Sequence, residues 1–407
     1  MPIIHWTGKH LSQPKPASLI QDSIIYPDGC GYPKAQTHNR LILGDNLAIM
    51  ATLLPKYEGR VNLIYADPPF FTNRKFTARI GRGEDSRKPD QWELAEGYHD
   101  NWSNLDAYLD FLYQRLALMY RLLSPNGTLY LHLDWHADAY ARLILDEFFG
   151  ADNLLNEIIW TYHGPSPIRS AFNRKHDTIL AYVKGRDYTF NADAVREPYH
   201  QNTVNTFKSS RKAGFGKIPD LERGKVPEDW WYFPVVARLH NERTGYPTQK
   251  PVALLERIVL ASSNPGDIVA DFFSGSGTTA FVAAKHGRKF IASDQTFRAL
   301  HTTRLRLTGT QASFLLEHDS SFVSTISSPP KTTKAKLFKD ILSLETKLDL
   351  DYWEVDPAWD GKIFKSAAQA KRHARSGELP FELKIKTGGN VCIRLVTVAG
   401  KHYQLNV

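Results

Sequence analysis

A chain of 407 residues is long enough to bury a full core and to carry one large domain with a smaller one. Its apolar runs fall short of a membrane span, its start lacks a charged-then-apolar leader, and its two cysteines, Cys30 and Cys392, have no CxxC partner and no histidine cluster beside them. Neither a disulfide framework nor a zinc site is expected; the expectation is a soluble cytoplasmic protein whose formal charge of +8 permits an anionic partner without requiring one.

Residues 1–38 read as an N-terminal arm. The run "NRLILGDNLAIMATLL" (39–54) is a short apolar strand that breaks at Gly44-Asp45 into a helix, and "VNLIYAD" (61–67) is a buried strand. After a polar loop rich in Arg and Gly (79–90), "LDAYLDFLYQRLALMYRLL" (105–123) carries apolar residues at helical spacing. Pro125-Asn126-Gly127 then turns the chain into the strand "TLYLHLD" (128–134). A helix follows at "ADAYARLILDEFF" (137–149), and strands follow at "NEIIWTYH" (156–163) and "DTILAYVKG" (177–185). Residues 186–245 are polar and irregular and interrupt this alternation. It resumes with the helix "KPVALLERIVLASS" (250–263) and the strand "DIVADFF" (267–273). Such an alternation predicts an α/β fold with a mixed, mostly parallel sheet. A Ser/Thr/Pro/Lys linker (322–335) leads to a small α+β appendage (336–407), with a helix at "LFKDILSLETKLDL" and three strands joined at Gly388-Gly389 and Gly400.

Residues 267–294, "DIVADFFSGSGTTAFVAAKHGRKFIASD", combine an apolar strand, a Gly275-Ser276-Gly277 turn, a helix with Ala280 at a close-packing position and a second strand ending in Asp294. This is the G-x-G-x-x-A pattern of a nucleotide-binding turn, in which glycines let a ligand approach the backbone at a helix N-terminus. The plainer reading is a tight turn that needs positive φ. On the residues alone the ligand is a dinucleotide or another adenosine compound.

The stretch "NLIYADPPFFTNRKF" (62–76) sets Pro68 and Pro69 directly behind Asp67 at the end of a buried strand. A plain turn explains the prolines but not the aromatic pair Phe70-Phe71 that follows. A flat heterocycle with an exocyclic amine does explain it. Such an amine is a poor nucleophile because its lone pair is delocalised. A carboxylate and a rigidly held carbonyl, both accepting its hydrogens, favour a tetrahedral nitrogen whose lone pair points at an electrophile. Phe70 then offers a stacking face to a base drawn out of the duplex.

Asp67-Pro68-Pro69-Phe70 resembles the Asp/Asn/Ser-Pro-Pro-Tyr/Phe motif of DNA amino-methyltransferases, and Asp271-Phe272-Phe273-Ser274-Gly275-Ser276-Gly277-Thr278-Thr279 resembles their S-adenosylmethionine motif. The catalytic motif comes first, as in the permuted beta class. Leu43-Gly44-Asp45-Asn46, Asn173-Arg174-Lys175-His176-Asp177 and Tyr246-Pro247-Thr248-Gln249-Lys250-Pro251 are similar to further family segments, and the resemblance spans about residues 39–305. It implies a Rossmann-like methyltransferase fold with a seven-stranded sheet, split into a catalytic part (39–185), an inserted DNA-recognition region (186–245) and a cofactor part (246–321). It further implies that Asp67 and the Pro68 carbonyl hold the amine and that Phe70 stacks on the base. For the cofactor it implies Phe272, Ser274, Gly275 and Gly277 at the methionine end, with Asp271, Phe273, Ser276 and Thr278 in the same motif. Asp294 would bind the ribose, Asp45 would meet the adenine, and Thr248, Gln249 and Lys250 would close the carboxylate side beside Asp67. Phe71 stands where many relatives have Asn, and Asp294 where many have Glu.

Between 161 and 217 ten Lys/Arg face four Asp/Glu, with Tyr162, His163, Phe172 and Phe207 among them. Arg169, Arg174, Lys175, Arg211 and Lys212 are the candidates for phosphate contact; the plainer reading is a solvated insertion. The resemblance implies double-stranded DNA as partner, adenine N6 as target with cytosine N4 as the alternative, and a homodimer and a cognate restriction endonuclease as candidate associations. A nicotinamide oxidoreductase would leave Asp67-Pro68-Pro69-Phe70 without a role, and a non-catalytic DNA-binding protein would leave both motifs idle. Glu382-Leu383-Lys384 with Asp360 is similar to a nuclease metal site, although alternating charges on an exposed strand explain it more simply.

Overall fold

The computed structural model describes residues 3–34, 37–80, 93–165, 167–209, 219–237, 240–322, 326–373 and 376–407. These form an eleven-stranded main sheet. Its centre, in spatial order, is Arg40–Leu43, Lys289–Asp294, Ile268–Asp271, Val61–Ala66, Leu123–Leu133, His176–Val183 and Leu154–Thr161, seven strands as the resemblance implies. All run parallel except His176–Val183. Four more strands widen the sheet: Phe314–Asp319, Leu19–Ile25 and Phe364–Ser366 at one edge, Trp230–Tyr232 at the other. The stretch read as an N-terminal arm thus contributes a strand, Leu19–Ile25, antiparallel to Phe314–Asp319.

The central strands are continuous apolar runs because helices cover both faces. Asn46–Tyr57, Leu105–Leu122 and Asp138–Phe149 pack on one face, and Val252–Ser262, Thr278–Lys285 and Phe297–Leu307 on the other, giving two separate buried clusters. Alternation divides even a single strand: Leu129, Leu131 and Leu133 enter one cluster and Tyr130 the other. The strands Val61–Ala66 and Ile268–Asp271 are direct neighbours, with Leu63 opposite Val269 and Ile64 opposite Ala270. From these two the chain winds outward in opposite directions, which opens a crevice at their carboxyl ends.

The interruption after residue 185 is more ordered than its composition suggests, with the helix Gln201–Ser209 and the edge strand Trp230–Tyr232. The C-terminal part corrects the α+β expectation, since its described residues hold strands and no helix. Over 337–350 the chain forms Lys334–Phe338, Ile341–Glu345 and the start of Leu350–Asp356. Leu337, Ile341, Leu344 and Leu348 stand at helical spacing, yet Leu342 and Leu344 are buried while Ile341 and Glu345 are exposed, which is the period of a strand. Lys384 pairs with Asp340 at 3.1 Å and Asp360 with Lys365 at 3.6 Å, and among the described residues no group of acids, histidines or cysteines is placed to hold a metal. No helix among them is long and apolar enough to cross a membrane.

The C-terminal module is welded to the main sheet. Phe364–Ser366 pairs with Leu19–Ile25, Arg394 meets Asp22 at 3.0 Å, and His301 meets Asp351 at 3.0 Å. Arg304 and Glu354, both buried, lie 3.8 Å apart. Burial, reinforced by Arg304, pushes the His301 imidazole down to about 4, so it stays neutral in this interface.

Gly277 has φ of 72°, and a Cβ there would lie 2.5 Å from the Thr303 side chain on the helix Phe297–Leu307. The glycine therefore serves a left-handed turn and a close helix approach. Gly277→Ala should destabilise the fold by about 1–3 kcal/mol, read as a lower urea midpoint; an unchanged midpoint would contradict this packing role.

Candidate active site

Past Ala66 the two prolines lack N–H groups and stop the ladder, so the chain leaves the sheet over its carboxyl edge. Asp100 then shapes the loop. It is buried at the end of the strand Glu93–Asp100 and accepts the backbone N–H groups of Phe70 (3.2 Å), Phe71 (3.0 Å) and Thr72 (2.7 Å). The Thr72 hydroxyl and the Trp102 indole N–H donate to it as well, at 2.6 and 2.8 Å. This clamp holds Phe71 at φ 66° and Asn73 at φ 54°, a region that residues with a Cβ seldom occupy. The Tyr108 hydroxyl donates to the Pro69 carbonyl at 2.9 Å, and its ring lies 5.3 Å from that of Phe71. Sequence reading missed Asp100 and Tyr108, because no motif surrounds them and only tertiary pairing brings them to the loop.

The loop and the glycine turn face one cleft. Asp67, Pro68, Pro69 and Phe70 form one wall, and Asp271, Phe272, Phe273, Ser274, Gly275, Ser276, Thr278 and Asp294 the other, with Thr248, Gln249 and Lys250 at the side. Two expected residues are not in the walls. Gly277 packs against Thr303, and Asp45 caps the helix Asn46–Tyr57 by accepting from Leu47 and Ala48 N–H while pairing with Arg115 at 3.0 Å. Asn46 and Arg115 line the cleft instead. Arg115 donates to Asn46 at 2.6 Å, and the Asn46 amide donates to the Phe272 carbonyl at 2.9 Å, linking the helices Asn46–Tyr57 and Leu105–Leu122 to the end of the strand Ile268–Asp271. Burial pushes the Arg115 guanidinium down to about 10. Tyr98, stacked on Phe76 at 4.7 Å, places its hydroxyl 3.3 Å from Thr248. The Gln249 amide is committed to Thr244 and Glu242.

Lys250, buried, pairs with Asp67 Oδ2 at 2.5 Å, and its ammonium lies 5.3 Å from the centre of the Phe70 ring. Asp67 Oδ1 and Ser274 Oγ are buried without a partner. Buried polar atoms are normally satisfied, so two orphans in one cleft mark positions that a ligand completes. Asp294 accepts from Gly275 N–H and Thr296 N–H, both at 3.0 Å, and burial raises its carboxyl. Burial pushes Asp271 up to about 7, against the opposing hydrogen bonds of Thr279 and Phe273.

Beneath the loop lies a buried polar chain. His132 stacks under Phe70 at 5.8 Å, shares a hydrogen bond with the Tyr65 hydroxyl at 2.7 Å and meets Asp177 at 3.1 Å; Tyr162 donates to Asp177 at 2.9 Å. Burial opposes charge on Asp177, but His132, Lys250 and Tyr162 together hold its carboxyl below the usual range. Among the phosphate candidates, Arg169 and Arg174 are exposed on the loop 162–175, and Lys175 donates to the Pro165 carbonyl at 2.5 Å. Arg211 and Lys212 lie outside the described residues. In the edge strand Trp230–Tyr232, Trp231 is core, whereas Trp230 and Tyr232 are exposed.

Two outcomes follow from these environments. Asp100→Ala strands several loop N–H groups and should cost at least about 2 kcal/mol, with slower turnover; unchanged stability and rate would remove its role as a clamp. The folded state keeps a proton on Asp271 that the unfolded chain releases, so this group's contribution to stability falls as pH rises from 3.8 to about 7. In Asp271→Asn that part of the decline should vanish from urea midpoints taken across the interval.

A family model described as DNA methylase matches residues 61–303. The DNA adenine methyltransferase YhdJ of Escherichia coli (strain K12) is 32% identical over 253 residues, covering 62% of this chain and 76% of that protein. The type II methyltransferase M.HpaI of Haemophilus parainfluenzae is 32% identical over 239 residues, 58% of this chain and 65% of that protein. Among solved structures, the putative DNA modification methylase TTHA0409 of Thermus thermophilus, complexed with S-adenosyl-L-methionine, aligns with 70% of this chain and 99% of its own at 21% identity and a TM-score of 0.44. With both motifs of its cleft inside the matched region, the chain belongs to the DNA methylase family.

Proposed function

We propose that this DNA methylase transfers the methyl group of S-adenosylmethionine to N6 of an adenine extruded from duplex DNA. One observation carries the reading: Asp67 keeps one buried, unpartnered carboxylate oxygen in the cleft that also holds the glycine turn. The cleft suits the cofactor by chemistry, with the apolar walls of Phe272 and Phe273, the Asp294 acid and the orphaned Ser274 hydroxyl. When bound there, S-adenosylmethionine supplies an electrophilic methyl group on a sulfonium sulfur. Asp67 Oδ1 accepts one hydrogen of the target amine and the Pro68 carbonyl the other. Lys250 holds the second Asp67 oxygen, fixing the carboxylate's orientation. As the nitrogen turns tetrahedral and gains positive charge, the Asp67 contact strengthens, so its effect falls on the transition state. Phe70, backed by His132, offers its ring to the base.

Arg169, Arg174 and Lys175 are assigned to phosphate contact, and residues 186–245 to site recognition. YhdJ is an adenine methyltransferase by name, and on that likeness adenine is preferred over cytosine. M.HpaI is named a type II enzyme, and by the same likeness we place the chain in the bacterial cytoplasm within a restriction-modification pair, with a cognate endonuclease. A homodimer belongs to the same reading.

Nucleoside mass spectrometry of unmethylated duplex DNA treated with the protein and cofactor should show N6-methyladenine. N4-methylcytosine would overturn the choice of base, and no methylated nucleoside would overturn the reading. Removing Asp67 altogether would leave the Lys250 ammonium buried and unpaired, so Asp67→Asn is the better variant. It should keep cofactor affinity and lower kcat by about 10²–10³-fold. Phe70→Ala should cost about 1–3 kcal/mol of base holding, and Phe70→Tyr should keep most activity.

A further inference from the structure

The chemistry above leaves Phe172 unused. It is 97% exposed, more than any other large apolar side chain among the described residues. Single exposed apolar residues are common on protein surfaces. A whole phenyl ring presented on a shaped loop is less so. The loop 162–175 joins Leu154–Thr161 to His176–Val183 and therefore rises from the same end of the sheet as Asp67.

Its tip is built from paired bonds. Asn173 Oδ1 accepts the Ile168 N–H at 3.1 Å and Asn173 Nδ2 donates to the Ile168 carbonyl at 3.1 Å, closing the tip as a strand pair would. Lys175 ties the loop to Pro165 at 2.5 Å, the Tyr162 N–H meets the Lys175 carbonyl at 3.1 Å, and the Arg174 guanidinium covers the Trp135 ring at 4.1 Å. The loop's foot, Asp177, bonds the His132 that backs Phe70. Phe172 and the Phe70 ring are thus connected through one hydrogen-bonded frame, with exposed Arg169 and Arg174 on either side of Phe172 in the chain.

We propose that Phe172 is a wedge that enters the duplex where the target base has left it. Resting on the methylase reading above, the wedge stacks on the neighbouring bases while the base itself lies at Phe70. Apolar side chains inserted between base steps are a known means of holding DNA open, and flanking arginines meet the adjacent phosphates. Phe172 is here a positioning residue, which makes extrusion less costly and touches no reacting atom.

The test uses the full chain and two duplexes carrying its own methylation site, mapped by sequencing DNA from cells that express it. One duplex pairs the target base normally; the other sets it opposite a mismatch, which already lowers the cost of extrusion. Phe172→Ala should lose about tenfold or more in kcat/KM on the paired duplex and little on the mismatched one, while Phe172→Trp stays close to the unaltered protein on both. With 2-aminopurine at the target position, Phe172→Ala should show weaker fluorescence only in the paired duplex. Equal losses on both duplexes would make the loop a general DNA contact and overturn the wedge, and no loss on either would also overturn it. Unaltered protein that methylates neither duplex would remove the methylase reading itself, and the wedge with it.

Discussion

Everything in the cleft depends on the parallel pairing of Val61–Ala66 with Ile268–Asp271. Those strands lie some two hundred residues apart in the chain, and hydrogen bonding between them sets Asp67 beside the glycine turn. Because parallel strands end together, both loops emerge at one edge, and the outward winding on either side leaves a crevice between them. The Arg115–Asn46–Phe272 chain lines that crevice and ties the helices Asn46–Tyr57 and Leu105–Leu122 to the end of Ile268–Asp271, so side chains as well as the ladder hold the two sides.

Within this frame the loop after Asp67 is held by polar groups that lie outside the proposed chemistry. Asp100 gathers three consecutive backbone N–H groups and offsets the strain of two left-handed residues. Under the ring of Phe70, Tyr65, His132 and Asp177 are buried and linked by hydrogen bonds that half-buried Tyr162 extends, an arrangement in which such networks stiffen a site. In the proposed reaction the stiffness matters because an amine must be brought to tetrahedral geometry by acceptors that do not yield. Asp177 also roots the loop that carries Phe172, so the proposed stacking ring and the proposed wedge share one support.

The C-terminal module enters the same account through the main sheet. Its strand Phe364–Ser366 extends the sheet beyond Leu19–Ile25, and its Leu350–Asp356 strand packs on the helix whose Thr303 abuts Gly277. A neutral His301 and the buried Arg304–Glu354 pair make this contact polar yet closed to water. The module therefore braces the back of the glycine turn.

The sequence by itself determined the α/β alternation, the two motifs and the chemistry they suit, because strand and helix periods and the proline and glycine chemistry of turns are local properties. It also determined the basic character of the loop around Arg169, Phe172 and Arg174. Tertiary structure alone decided which polar residues serve those motifs. Asp100 and Tyr108 carry no local signature, and Asp45, which sits in a matching segment, turns to capping a helix and to Arg115 while its neighbour Asn46 faces the cleft. It decided as well that Leu337, Ile341, Leu344 and Leu348, set at helical spacing, lie among strands, since the partner strands Lys334–Phe338 and Glu382–Lys384 supply the hydrogen bonds and the covered face that a two-residue period needs.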